Sequence, residues 1–471
     1  MKETTYNYYE AYWGAQRSEA SLFPTCSFIA MVVCVINCAL PEVEMLLTQG
    51  HCPIPIATIK IACFGLLFGL TLLYGKLDLS AFPTGMWVVA MFFLALDFPF
   101  LLIWQNKPLG DVLFSYNATF CPLIFAPAAC ALRGKVPERL SLQIIVLIFS
   151  ICALVGSAQF IFQVPVVQTA SSDGNFRIYA SWWMQQGEST IRAFSIFGSA
   201  LEYGNFAVIV AGIGIGMCGR PGGWIKGLPL YLLAAVCCYT TLTRVVFLEL
   251  VFATFAALTF TFGRSLRRVV WQPIVGLVVG VGIAFSGLTQ IASESKTLYD
   301  SGSLSVRLLQ WEVFGLELLH STRWQQLFGL GYCEADKPVI VPVKDQLRGK
   351  AAVALVDNLY LALTLHIGLV GMVIIVALLW AMWRHLRAET IKHPTPMLIG
   401  IASFWSTFLL TGMFNVEPAL YGFWFLIATM FFQASGYVDW GVPWAGQLQH
   451  LSVPEQTAGA IPVKEFPLES A

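Results

Sequence analysis

Apolar runs of roughly 20 residues, the length that crosses a bilayer as a helix, recur along most of the chain. They fall near 22–40, 54–74, 83–104, 111–132, 142–162, 197–218, 227–242, 245–262, 269–290, 357–383, 397–414 and 418–436. This pattern predicts an all-α, polytopic transmembrane bundle of about twelve helices. The narrowest division is between 227–242 and 245–262, where Thr243 and Arg244 alone interrupt the apolar run. The membrane domain so defined is 22–436, with two long polar connections inside it, 163–196 and 291–356. Segment 1–21 is polar and rich in Tyr and Glu, without the basic start and cleavage site of a secretory signal, so the first helix is expected to stay as an anchor. The Pro/Gly-rich tail 437–471 is expected to be disordered.

Charge in the short connections sets an orientation. One set holds Lys76, then Arg133, Lys135 and Arg139, then Arg220 and Lys226, then Arg264, Arg267 and Arg268, then Arg384, Arg387 and Lys392. The opposite set holds Lys107 and Arg244. Basic short loops stay in the cytoplasm. Both termini are therefore expected to be cytoplasmic, and both long loops to lie on the outer, periplasm-like face. Polar mass gathered on one face suggests recognition or chemistry there; an inert cap is the plainer alternative.

Composition agrees with a membrane protein. Hydrophobic residues make up 57% and charged residues 11%, against about 25% charged in a soluble domain. Mean hydropathy is +0.71. A net charge of +0 implies no bulk attraction to nucleic acid. Most of the 12 cysteines lie inside or beside apolar runs. Cys52 and Cys333 fall in segments read as external and could pair in an oxidising compartment. No CxxC or Cys/His spacing predicts a metal site, and no cofactor is expected.

Ionisable residues at membrane depth are costly and call for a partner or a role. Arg192 precedes a helix, Arg244 sits in the hinge Thr240-Thr241-Leu242-Thr243-Arg244, Arg307 begins an amphipathic stretch, and Asp357 opens an apolar helix. All four fall on the same face of the predicted topology. Arginine presents planar paired donors that suit phosphate oxygens, so three arginines beside a carboxylate form a candidate anion site. Each has a structural alternative: capping for Asp357, snorkelling to headgroups for Arg192 and Arg307, a buried structural pair for Arg244. Val306, Leu309, Val313 and Leu316 have helical spacing, which predicts an interfacial helix over 303–320 holding Arg307 and Trp311 at headgroup depth. Gly329-Leu330-Gly331-Tyr332 reads as a turn into an irregular loop. Gly214-Ile215-Gly216-Met217-Cys218-Gly219 fits GxGxxG but follows no strand, so a nucleotide site is not expected. Gly212/Gly216 and Gly276/Gly280 predict close helix packing. His366 lies about 13 Å below Asp357 along a helix and out of phase with it. His320 is expected to be exposed.

Asp357-Asn358, a gap of nine residues, and Gly368-Leu369-Val370-Gly371 resemble the signature of bacterial O-antigen ligases and Wzy-type polysaccharide polymerases. That signature has a His, a small amide or hydroxyl residue, the same gap, and two glycines three apart. Asp357 stands where the ligase pattern has His. Arg192 with Phe197-Gly198, Leu242-Thr243-Arg244, and Arg307 with Trp311 before Phe328-Gly329-Leu330-Gly331 resemble the family's other elements, in order, over roughly 150–435.

The resemblance implies a GT-C-like, inverting membrane glycosyltransferase with no metal. Its donor is a glycan on polyprenyl diphosphate (undecaprenyl diphosphate in bacteria), embedded in membrane lipid. It also implies a chain-length-regulating copolymerase as a partner. It assigns the diphosphate to Arg192 and Arg307, with Arg244 third, the general base to Asp357, and a sugar- or carboxylate-holding role to Asn358. The missing His favours a polymerase of O-antigen, capsule or exopolysaccharide over a ligase to lipid A-core. A transporter or flippase, with Lys60, Asp97 and Glu249 as a buried path, and a purely structural assembly subunit are rivals from other classes.

Overall fold

The computed structural model describes residues 82–104, 138–163, 192–195, 200–263, 314–330, 339–341, 352–354 and 358–412, with a few single positions between 106 and 127. The expected helices at 22–40, 54–74, 269–290 and 418–436 lie outside the described residues, as does nearly all of 111–132. Among the described residues, five helices are long and apolar enough to cross a membrane. The chain is a multi-pass, helical membrane protein.

The elements are α1 (Thr84–Pro99), continued by a π-helical turn to Trp104, α2 (Glu138–Phe162), α3 (Ala200–Cys218), α4 (Trp224–Thr240) and α5 (Arg244–Phe262). Then come a helical stretch over 314–320, the short helix α6 (Arg323–Phe328), strands β1 (Val339–Val341) and β2 (Ala352–Ala354), and helices α7 (Leu359–Lys392) and α8 (Pro396–Thr411). The division at Thr243 is real: it is the extended N-cap of α5. The β pair is a small departure from the all-α expectation. It is antiparallel, with Ile340 opposite Val353, and its apolar β-branched residues favour a pleated pairing inside the large loop.

α3 is the central helix. Every residue from Ala207 to Gly216 is buried, as expected of a helix that is apolar all round. Its glycines let neighbours approach to backbone contact. A Cβ on Gly212 would lie 2.8 Å from the Cα of Gly400 in α8, and one on Gly216 2.8 Å from the Cα of Pro396. A Cβ on Gly214 would lie 2.8 Å from the carbonyl oxygen of Gly227 in α4. Gly204, nearer the start of α3, is pressed by Val246 of α5, and the thiol of Cys238 near the end of α4 points to the Gly204 carbonyl.

These contacts fix which ends meet. The start of α3, the end of α4, the start of α5 and the end of α8 lie together. Gly412, just past α8, packs against Leu359, the first residue of α7, so α7 begins at that same end. The opposite end carries the α3–α4 turn and the α7–α8 turn.

α7 differs from the expected span 357–383 in two ways. It runs on to Lys392, because Arg384, Leu386, Arg387 and Glu389 are sound helix formers and Leu386 and Glu389 are buried. The Arg387 guanidinium also sits 5.4 Å from the centre of the Trp383 ring. Second, the helix is broken. Gly368 has φ +70° and ψ 178°, outside any helix.

Candidate functional site

The break in α7 is filled by another part of the chain. α6 starts with a capping box, in which Thr322 Oγ1 accepts from the Gln325 N–H and the Gln325 side chain accepts from the Thr322 N–H. It ends at Gly329, φ +89°. There the backbone lies against α7 so tightly that a Cβ on Gly329 would collide with the His366 carbonyl, and one on Gly368 with the Leu327 carbonyl. The Leu330 N–H donates to the Leu365 carbonyl at 2.7 Å, satisfying an acceptor that the break would otherwise orphan. Phe328 stacks on Phe93 of α1 at 6.3 Å and on Trp324 at 5.9 Å, and lies 5.3 Å from Phe100. Phe314, Leu330, Ala362 and Leu365 form a small core beside the break. In the 314–320 stretch, Phe314 faces the protein with Leu318 packed alongside, while Leu316 and Leu319 are exposed.

Asn358 is the N-cap of α7. Its Oδ1 accepts from the N–H groups of Tyr360 at 3.0 Å and Leu361 at 3.1 Å. Capping, one reading of Asp357, is therefore done by its neighbour. Asp357 and Arg307, with Trp311, lie outside the described residues.

No protein-family model matches the sequence. No curated protein matches it significantly either.

Arg192 is half-buried in a non-helical stretch, described over 192–195, that lies between α2 and α4. Gln159 of α2 donates from Nε2 to the Ser195 carbonyl at 2.7 Å. Its Oε1 accepts from the N–H groups of Phe194 at 3.1 Å and Ser195 at 2.6 Å. Ser195 Oγ donates to the Cys152 carbonyl at 2.7 Å. On the other side the Ala193 N–H donates to the Thr240 carbonyl at 3.0 Å. The segment bearing Arg192 thus touches the hinge that ends in Arg244. Threonine hydroxyls of that hinge donate to carbonyls in the last turn of α4 and in the hinge itself: Thr240 to Cys237 at 2.8 Å, Thr241 to Cys238 at 2.7 Å, Thr243 to Thr241 at 3.0 Å. Leu242 in the hinge and Ser195 in the segment have positive φ, +49° and +57°. Such conformations are sparsely populated in residues with a side chain, and they often mark functional positions. Arg244 opens α5; its side chain lies outside what is described.

The backbone at Arg192, Arg244 and Asn358 lies at one end of the bundle. Four motif pieces therefore form two contacting pairs: the Arg192 segment with the Arg244 hinge, and Gly329-Leu330 with Gly368. His366 is buried next to the break, its ring 5.2 Å from that of Phe120. His320 is exposed, with Nδ1 2.7 Å from the Leu316 carbonyl. Asp97 and Glu249 are buried on α1 and α5; Lys60 lies outside the described residues. Among the described residues, no group of three His, Cys, Asp or Glu side chains could hold a metal. Sequence reading missed Gln159. The available signal was a primary amide inside an apolar run, which must find partners in the bundle.

Proposed function

We propose that this protein polymerises polyprenyl-diphosphate-linked oligosaccharide repeat units into O-antigen, capsule or exopolysaccharide at the periplasmic face of a bacterial inner membrane. The observation that supports this reading most is the contact between Gly329 and the break at Gly368. Two glycine elements that the family resemblance names separately, far apart in sequence, touch through their backbones.

The chemistry asked of the site is modest. The acceptor hydroxyl attacks the anomeric carbon of the donor sugar while the C–O bond to the diphosphate breaks. The electron pair leaves with the diphosphate, the hydroxyl proton goes to Asp357, and the configuration inverts. Diphosphate is already a good leaving group, so the main tasks are to neutralise its charge and to orient the hydroxyl. Arg192, Arg307 and Arg244 serve the first, Asp357 and Asn358 the second. With its Oδ1 committed to the helix cap, Asn358 offers its amide Nδ2 to sugar or carboxylate.

Ligation to lipid A-core uses the same donor and remains the alternative within the class. Asp357 in place of His weighs toward polymerisation. Deletion of the gene is expected to leave single repeats on a complete core; loss of all glycan from the core, with long chains still on the lipid carrier, would identify a ligase. Asp357→Asn and Arg307→Ala are expected to abolish polymer while the protein still inserts. Near-normal polymer from Asp357→Asn removes the base assignment.

One observation favours a transporter. Broken helices commonly line ion paths near the midplane. In α7, however, backbone from Gly329 and the neighbouring Leu330 N–H occupy the break, so it holds protein where a transporter needs a passage. Flux or flipping in reconstituted vesicles separates the two readings.

A further inference from the structure

We propose that Gln159 is a positioning residue, whose side-chain amide holds the 192–195 segment so that Arg192 is presented beside the hinge carrying Arg244. The functional part rests on the reading of Arg192 as a diphosphate ligand; the hold itself rests on geometry alone.

A primary amide has two N–H groups and a carbonyl with two lone pairs. Gln159 is fully buried and spends three of those four capacities on just two residues, Phe194 and Ser195. It meets their peptides as a neighbouring strand would, accepting from two N–H groups and donating to one carbonyl. The segment needs such a partner because it is not helical, lies inside the bundle, and has its own donors and acceptors to satisfy. Ala193, Phe194 and Ser195 are all buried, so water is not a ready substitute.

The grip is two-sided. Gln159 and the Cys152 carbonyl hold the segment to α2, and the Thr240 carbonyl holds it to α4. The held conformation is also an unfavourable one, since Ser195 is left-handed at φ +57°. A residue with a side chain held in that conformation often marks a functional position. Here it sits three residues from Arg192, and the Thr240 contact sits four residues from Arg244. Fixing the segment removes the freedom that an arginine on a loose loop would lose on binding an anion.

The test uses the full-length protein in detergent and two readouts. Hydrogen exchange at Phe194 and Ser195 should be about tenfold faster in Gln159→Leu, as befits loss of buried hydrogen bonds, while α3 amides stay protected. Unchanged exchange at those two amides overturns the proposal. If Gln159→Leu does not fold, Ser195→Ala removes only the Cys152 bond and should speed local exchange a few-fold; no change there also overturns it. Inorganic pyrophosphate is the functional probe. Arg192→Ala should weaken its binding, and Gln159→Leu should weaken it by about tenfold with Arg192 intact. Faster exchange with wild-type pyrophosphate affinity would make Gln159 a packing residue and end the positioning role. Wild-type protein that does not bind pyrophosphate removes the anion reading and that role together, while the exchange data still report whether the hold exists.

Discussion

Asn358 shows how one atom divides the roles of two adjacent residues. Its Oδ1 takes two of the N–H groups that every helix start leaves unpaired. The cap of α7, the commonest structural duty of an Asp or Asn at a helix start, thus falls to Asn358. Asn358→Ala should lower stability by about 1 kcal/mol, whereas Asn358→Ser should stay within about a few tenths of a kcal/mol of wild type, because serine caps as well. Thermal unfolding in detergent measures both. If the Nδ2 group also serves the substrate, Asn358→Ser will lose polymer despite an intact cap. Little of this was legible beforehand, because Asp and Asn cap about equally well and the choice between neighbours depends on where the backbone turns.

At the scale of elements, the apolar runs were legible and the break was not. Leu359 to Val376 reads as a mainly hydrophobic run in which Thr364 and His366 are the polar residues, and glycines such as Gly368 and Gly371 in a membrane helix are usually packing features. What breaks α7 is a long-range backbone contact, and local pattern carries no record of it. Gly368 and Gly329 are each left-handed and each faces a carbonyl where a Cβ would stand. Gly368→Ala or Gly329→Ala therefore meets both penalties and should cost about 2–3 kcal/mol or more. Lower unfolding temperature and lost polymer are the expected results; a variant with wild-type stability would mean that the two segments do not meet. The Gly212 and Gly216 contacts, by contrast, were foreseeable from spacing alone. Gln159 was foreseeable only as a polar group needing partners, because the residues it holds are 35 and 36 positions away.

For the whole molecule, antiparallel packing sorts charge as well as motifs. Arg220 and Lys226 flank the α3–α4 turn, and Arg387 and Lys392 approach the α7–α8 turn, all at the end opposite Arg192 and Asn358. Basic residues favour the cytoplasmic side, so the motif end is expected to face outward. Arg323→Cys, exposed on α6, should react with an impermeant maleimide in intact cells. Lys226→Cys, exposed at the opposite end, should react only after permeabilisation, and the reverse pattern would turn the topology over. The break in α7 has a mechanical consequence at this scale. From Leu369 to Lys392 the helix is about 36 Å long, enough by itself for a hydrocarbon layer of about 30 Å. The stub from Leu359 to Ile367 is seated by Leu330 and Gly412 rather than by lipid. Thickening or thinning the bilayer should tilt the long limb and leave the stub where it is, so the contact between Gly329 and Gly368 should survive changes in acyl-chain length.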